Sequence, residues 1–314
     1  MKYILYIFLI ILCSCHKDFE IEEPTLDIKV DNPTATMSGD TINLTSRDLI
    51  NFRFTGDADL ITFYSGETGS NYAYSERVSE KGLPRVTFTL TQSNAGQPNT
   101  LRMYASTDFN GIYDTTSVKA ATWVDITSKF TIPTGNVTGA SAANNVSLAE
   151  FDDGKPFYFA YRYIGKKSIT QRQPTWVVPT FAITNLTNDG KLSDVVANVN
   201  QLAFSFVDFS NTTRVWTGVN TITFSGPAIG GDPANDISDD DNDDWAISRP
   251  LDLRRTLPDL GTPIKKLGDL PITLYNRQYL TTVTAVFNVA FVAKNVSKKE
   301  SKEVVKKFIF RITP

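Results

Sequence analysis

The strongest restriction on how this chain can fold is its period of two. From Phe52 it reads Phe-Arg-Phe-Thr, breaks at Gly56-Asp57-Ala58-Asp59, and resumes as Leu60-Ile61-Thr62-Phe63-Tyr64. Alternation places Phe52 and Phe54 on one face and Arg53 on the other, the pattern of a half-buried strand. Two such runs around a polar, Gly-containing break predict a hairpin or a tight sandwich corner. The rhythm returns at Leu26–Val30, Val86–Leu90, Leu101–Ser106, Phe157–Tyr163, Trp176–Ile183 and Thr282–Lys294, with Pro179 marking a bulge or an edge. No window sustains a 3.6-residue period, so helices should be few and short. Strands separated by turn signals about every 8–12 residues indicate all-β sandwiches.

A length of 314 residues suits two domains, and 41% hydrophobic with 11% aromatic residues is enough for real cores. The net charge is −3 and no predicted element carries a basic stripe, which argues against nucleic acid as a partner. Both cysteines, Cys13 and Cys15, and the single histidine, His16, lie at the N-terminus. The rest of the chain therefore offers no Ser-His-Asp or Cys-His arrangement and no histidine metal site. Any catalytic chemistry would rest on carboxylates, Tyr or Lys.

Lys2 precedes the apolar run Tyr3–Leu12, which is too short to span a bilayer and reads as a signal peptide, residues 1–15. Leu12-Cys13-Ser14-Cys15 resembles the bacterial lipobox, with Leu12 and Ser14 at the positions that precede a lipid-modified Cys15. Acylation there would anchor the protein in the outer membrane. Residues 16–24 form a charged spacer that ends at Pro24, and the pattern Lys17-Asp18 resembles the export signal of Bacteroidetes surface lipoproteins. The expected location is the outer membrane, facing the exterior.

Several separated motifs, Thr55–Glu67, Ser106–Gly111 and Ala121–Thr127, resemble the Bacteroidetes lipoprotein family called domain of unknown function 5017. Asp244–Leu253 is similar to the DDWLISP segment of jelly-roll modules related to galactose-binding and MAM-type domains, and Pro156–Tyr163 with Thr175–Val177 is similar to aromatic strands of the same modules. Residues 25–80 and the strand Thr282–Asn295 resemble a PKD-type immunoglobulin-like sandwich. The resemblance implies a split Ig/PKD-like β-sandwich over 25–80 and 257–314, with a jelly-roll β-sandwich over 81–256 inserted into it. It also implies company with TonB-linked glycan-import systems and no known activity. The expected role is non-catalytic glycan binding or accessory support of a TonB-linked transporter. A structural or adhesion protein and a carboxylate-based glycoside hydrolase are the alternatives.

Three groups of residues are candidates for chemistry. The run DISDDDNDD crowds Asp239, Asp241, Asp243 and Asp244, whose repulsion a structural calcium ion would relieve; a solvated acidic loop is the plainer account. Trp216 and Tyr113 sit near turns and are candidate sugar platforms, whereas Trp123, Trp176 and Trp245 sit in apolar strand text and should pack in cores. Asp57, Asp59 and Glu67 cluster around the opening break, where ordinary turn chemistry accounts for them better than a glycosidase pair does.

Overall fold

The computed structural model describes residues 20–137, 139, 145–210, 216, 220–225 and 241–314, so Cys15 and Asp239 lie outside the described residues. The chain divides into two compact units. Unit 1 joins the chain up to Ser75 with Leu260–Pro314, and unit 2 is Glu76–Asp259. Both are built almost wholly of strands, and the fold is all-β with the character of β-sandwiches.

Unit 1 begins with β1 (Asp27–Asp31), β2 (Thr36–Ser38), β3 (Thr41–Thr45), β4 (Leu49–Thr55) and β5 (Leu60–Tyr64). In β4, every second residue (Ile50, Phe52, Phe54) is buried, as the alternation requires. β4 pairs with β1, while β5 belongs to the other sheet, so β4 and β5 do not form the hairpin that was one expectation. The break is instead a corner, where the chain steps from one layer to the next. Gly56 makes it possible: its φ is +76°, and a Cβ there would lie 2.2 Å from the Thr25 carbonyl oxygen.

Unit 2 continues with β6 (Gly82–Phe88), β7 (Thr91–Ser93), β8 (Leu101–Ser106), α1 (Thr115–Ala120), β9 (Val124–Asp125), β10 (Val146–Ser147) and β11 (Tyr158–Gly165). Then come β12 (Thr175–Val178), β13 (Phe181–Thr187), β14 (Leu192–Val196), β15 (Ser205–Ser210), β16 (Ile222–Ser225) and β17 (Asn242–Ile247). A five-stranded sheet runs in the order β15-β17-β11-β8-β9; the sheets β10-β6-β13-β14 and β16-β12-β7 share a core with it. That core holds Phe159 and Tyr161 of β11 against Phe88, Phe181 and Phe224 of the smaller sheets. Pro179 has a clearer role than a bulge. β12 stops before it, and β13 resumes after it in a different sheet, which suits a residue with no N–H to give a ladder. The outer face of the five-stranded sheet is covered by the segment around α1, whose Phe109 and Trp123 pack on Tyr158 and Trp245. Asp114 caps α1 by accepting a hydrogen bond from the Ser117 N–H at 2.7 Å.

The two ends of unit 2 are tied by a buried ion cluster. The Arg77 guanidinium donates to Asp189 at 2.9 Å, to Asp259 at 3.2 Å, and to Glu80. Lys191 donates to Asp259 at 2.7 Å and to the Pro258 carbonyl at 2.9 Å. Burial works to raise the Asp189 carboxyl, but hydrogen bonds from Arg77 and Thr187 overcome it and hold the group below the usual carboxylate range.

The chain then returns to unit 1 through β18 (Thr262–Lys265), β19 (Leu274–Gln278), β20 (Ala285–Val296) and β21 (Ser301–Thr313). β19 joins β4 and β1; the second sheet runs β18-β5-β20-β21-β3-β2. β5 thus pairs with β20, Phe63 opposite Phe291, and β21 runs parallel to β3. Phe52, Phe63, Phe291 and Phe310 interlock between the two sheets, with Phe52 and Phe291 edge-on at 4.8 Å.

Candidate functional site

Unit 2 carries a cleft of about 420 Å³. Its floor is apolar, with Leu101 at the start of β8 and Trp176 of β12, both buried. The Trp176 indole N–H donates to the Thr100 hydroxyl at 2.9 Å, which fixes the ring. One wall is the loop carrying Ile132, Pro133 and Thr134. β7 pins that loop: the Gln92 backbone exchanges hydrogen bonds with Val137 at 3.2 and 2.7 Å, and its side-chain amide, assigned with the nitrogen inward, meets the Pro133 and Gly135 carbonyls. The opposite wall holds Pro98 and Asn99, the latter at φ +55°, a conformation Asn tolerates better than most side chains.

The polar rim is built on the outward positions of β8 and β9. Alternation along β8 buries Leu101 and Met103 and turns Arg102 outward, where it meets Asp125 of β9 at 3.1 Å. Asp125 also accepts from the Thr127 N–H at 2.9 Å. Burial pushes this carboxyl up, and the Thr127 and Arg102 hydrogen bonds more than reverse that, leaving it below the usual range and ionised. Thr127 and Ser128 add hydroxyls. The result is a fixed ion pair and hydroxyls above a rigid apolar floor, the make-up of a small-molecule site. Asp125 is the one carboxylate among the described residues that line the cleft.

The residues singled out in the sequence lie elsewhere. Trp216 is only 4% exposed, with Tyr163, Phe206 and Phe224 edge-on around it, so its faces are taken by protein and cannot stack on a sugar. Tyr113 is half-buried on the outer face of the five-stranded sheet; its hydroxyl donates to the Ser248 carbonyl at 3.1 Å. The other three tryptophans pack as expected: Trp176 and Trp245 are buried, and Trp123 is half-buried with its N–H on the Val118 carbonyl. Asp57, Asp59 and Glu67 hold separate partners, namely Lys265, the Val296 N–H and Arg277.

The acidic run is split by the pleat of β17. Asp243 points outward and takes both Nε and Nη2 of Arg162, at 2.8 and 2.6 Å. Asp241 accepts from Lys166 at 3.0 Å and from the Lys167 N–H at 2.8 Å. Asp244 faces the other way and is fully buried, opposite Asp208 of β15. Burial first, then the facing Asp208 carboxylate, push Asp244 up to about 8. Among the described residues no three His, Cys, Asp or Glu side chains converge as a metal-binding group.

None of Arg102, Asp125 and Thr127 was a candidate for chemistry in the sequence, although Asp125 and Thr127 lie in the Ala121–Thr127 motif that carries the family resemblance. Arg102 carried one signal, an outward position in an otherwise apolar strand. The meeting of residues 98–99 with 128–134 had none, because it is made by tertiary packing.

The family model described as Domain of unknown function (DUF5017) matches residues 14–204, a stretch that contains every described residue lining the cleft. No curated protein and no solved structure matches the chain. With the match covering well over half of its length, the chain belongs to the DUF5017 family.

Proposed function

We propose that this protein is a cell-surface lipoprotein, acylated at Cys15, that captures a glycan without cleaving it and serves a TonB-linked polysaccharide-uptake system. The cleft of unit 2 is the observation that carries the reading. Its volume of about 420 Å³ falls within the ~300–1,000 Å³ typical of small-molecule sites. The Arg102–Asp125 pair and the neighbouring hydroxyls suit the donor and acceptor pattern of sugar hydroxyls, and the apolar floor suits a pyranose C–H face. Asp125 is committed to Arg102 and Thr127, and a hydrolase would need a second carboxylate beside it. Binding of the purified protein to a glycan array, repeated with Arg102→Ala, tests this reading. Loss of array binding in the variant supports capture at the cleft, and cleavage of a bound glycan would make the protein an enzyme. Mass spectrometry of the membrane-bound protein tests acylation at Cys15.

A second reading, adhesion or assembly through a protein surface, is favoured by a row of exposed leucines. Leu83, Leu186 and Leu192 stand opposite one another on β6, β13 and β14, all toward solvent.

A further inference from the structure

We propose that Asp208, Asn242 and Asp244 form a binding site for a hard divalent cation of the calcium class. The site lies in unit 2 and beyond residue 204, where the family match ends. It differs from the set that the acidic run suggested. Asp241 and Asp243 are engaged with Lys166 and Arg162, and Asp243 lies on the opposite face of β17.

Three observations carry the proposal. First, Asn242 and Asp244 are two residues apart on one strand, so their side chains leave the same face, the one from which Ala246 enters the core. Asp208 is the direct strand partner of Asp244, and the two carboxyls are within hydrogen-bonding reach. Secondly, Asn242 and Asp244 are 1% and 0% exposed, yet both amide atoms of Asn242 lack a hydrogen-bond partner, and the Asp244 carboxyl has only the Phe209 backbone N–H and the facing Asp208 carboxyl. Buried polar groups are nearly always satisfied, so a buried orphaned amide on the same face as two facing carboxyls marks a missing partner. Thirdly, the donor set is chemically uniform. Two carboxylates and an amide oxygen are hard ligands, with no imidazole or thiolate among them, and such sets favour calcium over transition metals. The Gln173 side-chain oxygen adjoins the set: it lies against Gly165, the strand partner of Asn242, and would be 2.0 Å from a Cβ there. A cation between Asp208 and Asp244 would let both carboxyls ionise side by side, and would satisfy the Asn242 amide oxygen that the protein leaves bare. Backbone carbonyls and water would complete the six to eight oxygens that calcium takes.

The test uses the complete mature protein with calcium and terbium as probes. Melting is followed in EDTA and in excess calcium chloride, and terbium luminescence is excited through tryptophan. Trp245 follows Asp244 in the chain, and Trp216 packs on Phe206 and Tyr163, close to the set. The expected result is a rise in Tm of about 5–10 °C at roughly a hundredfold excess of calcium over Kd, together with a terbium signal that calcium displaces. Asp244→Asn and Asp208→Asn should each abolish the calcium-dependent shift while melting in EDTA at or above the wild-type temperature. Asp243→Asn should keep the shift. A wild-type Tm indifferent to calcium and EDTA, with no displaceable terbium signal, overturns the proposal. So does a calcium response that survives both Asp208→Asn and Asp244→Asn, or one that Asp243→Asn alone removes.

Discussion

The two units bury different things. Among the described residues, unit 1 buries only two polar side chains, Ser65 and Lys265, beneath a core of interlocked phenylalanines. Unit 2 buries fifteen, including Asp152, Asp244 and Asp259. Polar burial is costly unless it is satisfied, so its concentration in one unit points to work beyond holding a shape. Within unit 2 the contrast sharpens: the Arg77 cluster places three carboxylates around one guanidinium, while Asp208 and Asp244 face each other beside a buried Asn242 amide that has no hydrogen-bond partner.

The largest expected effects come from breaking each unit at its own centre. Arg77→Met leaves Asp189, Asp259 and Glu80 without their shared cation and should cost about 3–5 kcal/mol. Phe291→Ala should cost a similar ~3–5 kcal/mol through a cavity in the phenylalanine core. The two losses can be told apart, because all four tryptophans lie in unit 2. In a urea titration, Arg77→Met should move the tryptophan-fluorescence transition. Phe291→Ala should move chiefly the transition seen by circular dichroism outside it. Identical shifts in both signals for both variants would erase the distinction between the units.

A middle-sized effect tests the acid pair. Asp244 titrates near 8 in the folded protein and near 3.8 as an ordinary side chain. Between those values the folded state holds a proton that the unfolded state has lost. Stability in EDTA should therefore fall as pH rises from about 5 to about 8, by on the order of a few kcal/mol. Asp244→Asn should flatten that slope, which chemical denaturation at a series of pH values will reveal. The smallest effect on stability belongs to the cleft. The Arg102–Asp125 pair is well exposed, and Arg102→Ala should change unfolding by about 0.2–1 kcal/mol at most.

Much of the architecture was legible because strand alternation is local. β8 begins and ends where the apolar rhythm places it, and Ile50, Phe52 and Phe54 are buried in turn, as their spacing demands. Two features escaped because they are not local. Whether Gly56–Asp59 closes a hairpin or turns a corner depends on which sheet receives β5, and that is decided by β20 in the far end of the chain. Trp216 looked exposed because turn-like residues flank it, yet aromatic neighbours from three strands enclose it. The acidic run was half legible. Its charge was plain, but its division into an outward Asp243 and an inward Asp244 required knowing that β17 starts at Asn242. The cleft was the least legible feature, since its walls come from loops some thirty residues apart whose Pro, Asn and Thr content is ordinary for any turn.

If unit 2 holds the working surface, Arg102 and Asp125 form its polar centre. Calorimetric titration of the strongest array glycan into wild-type protein and Arg102→Ala, with melting curves of both, addresses it most directly. Saturable binding by the wild type, at least about tenfold weaker binding by the variant, and nearly superimposable melts are expected. Equal binding by the two proteins would contradict it.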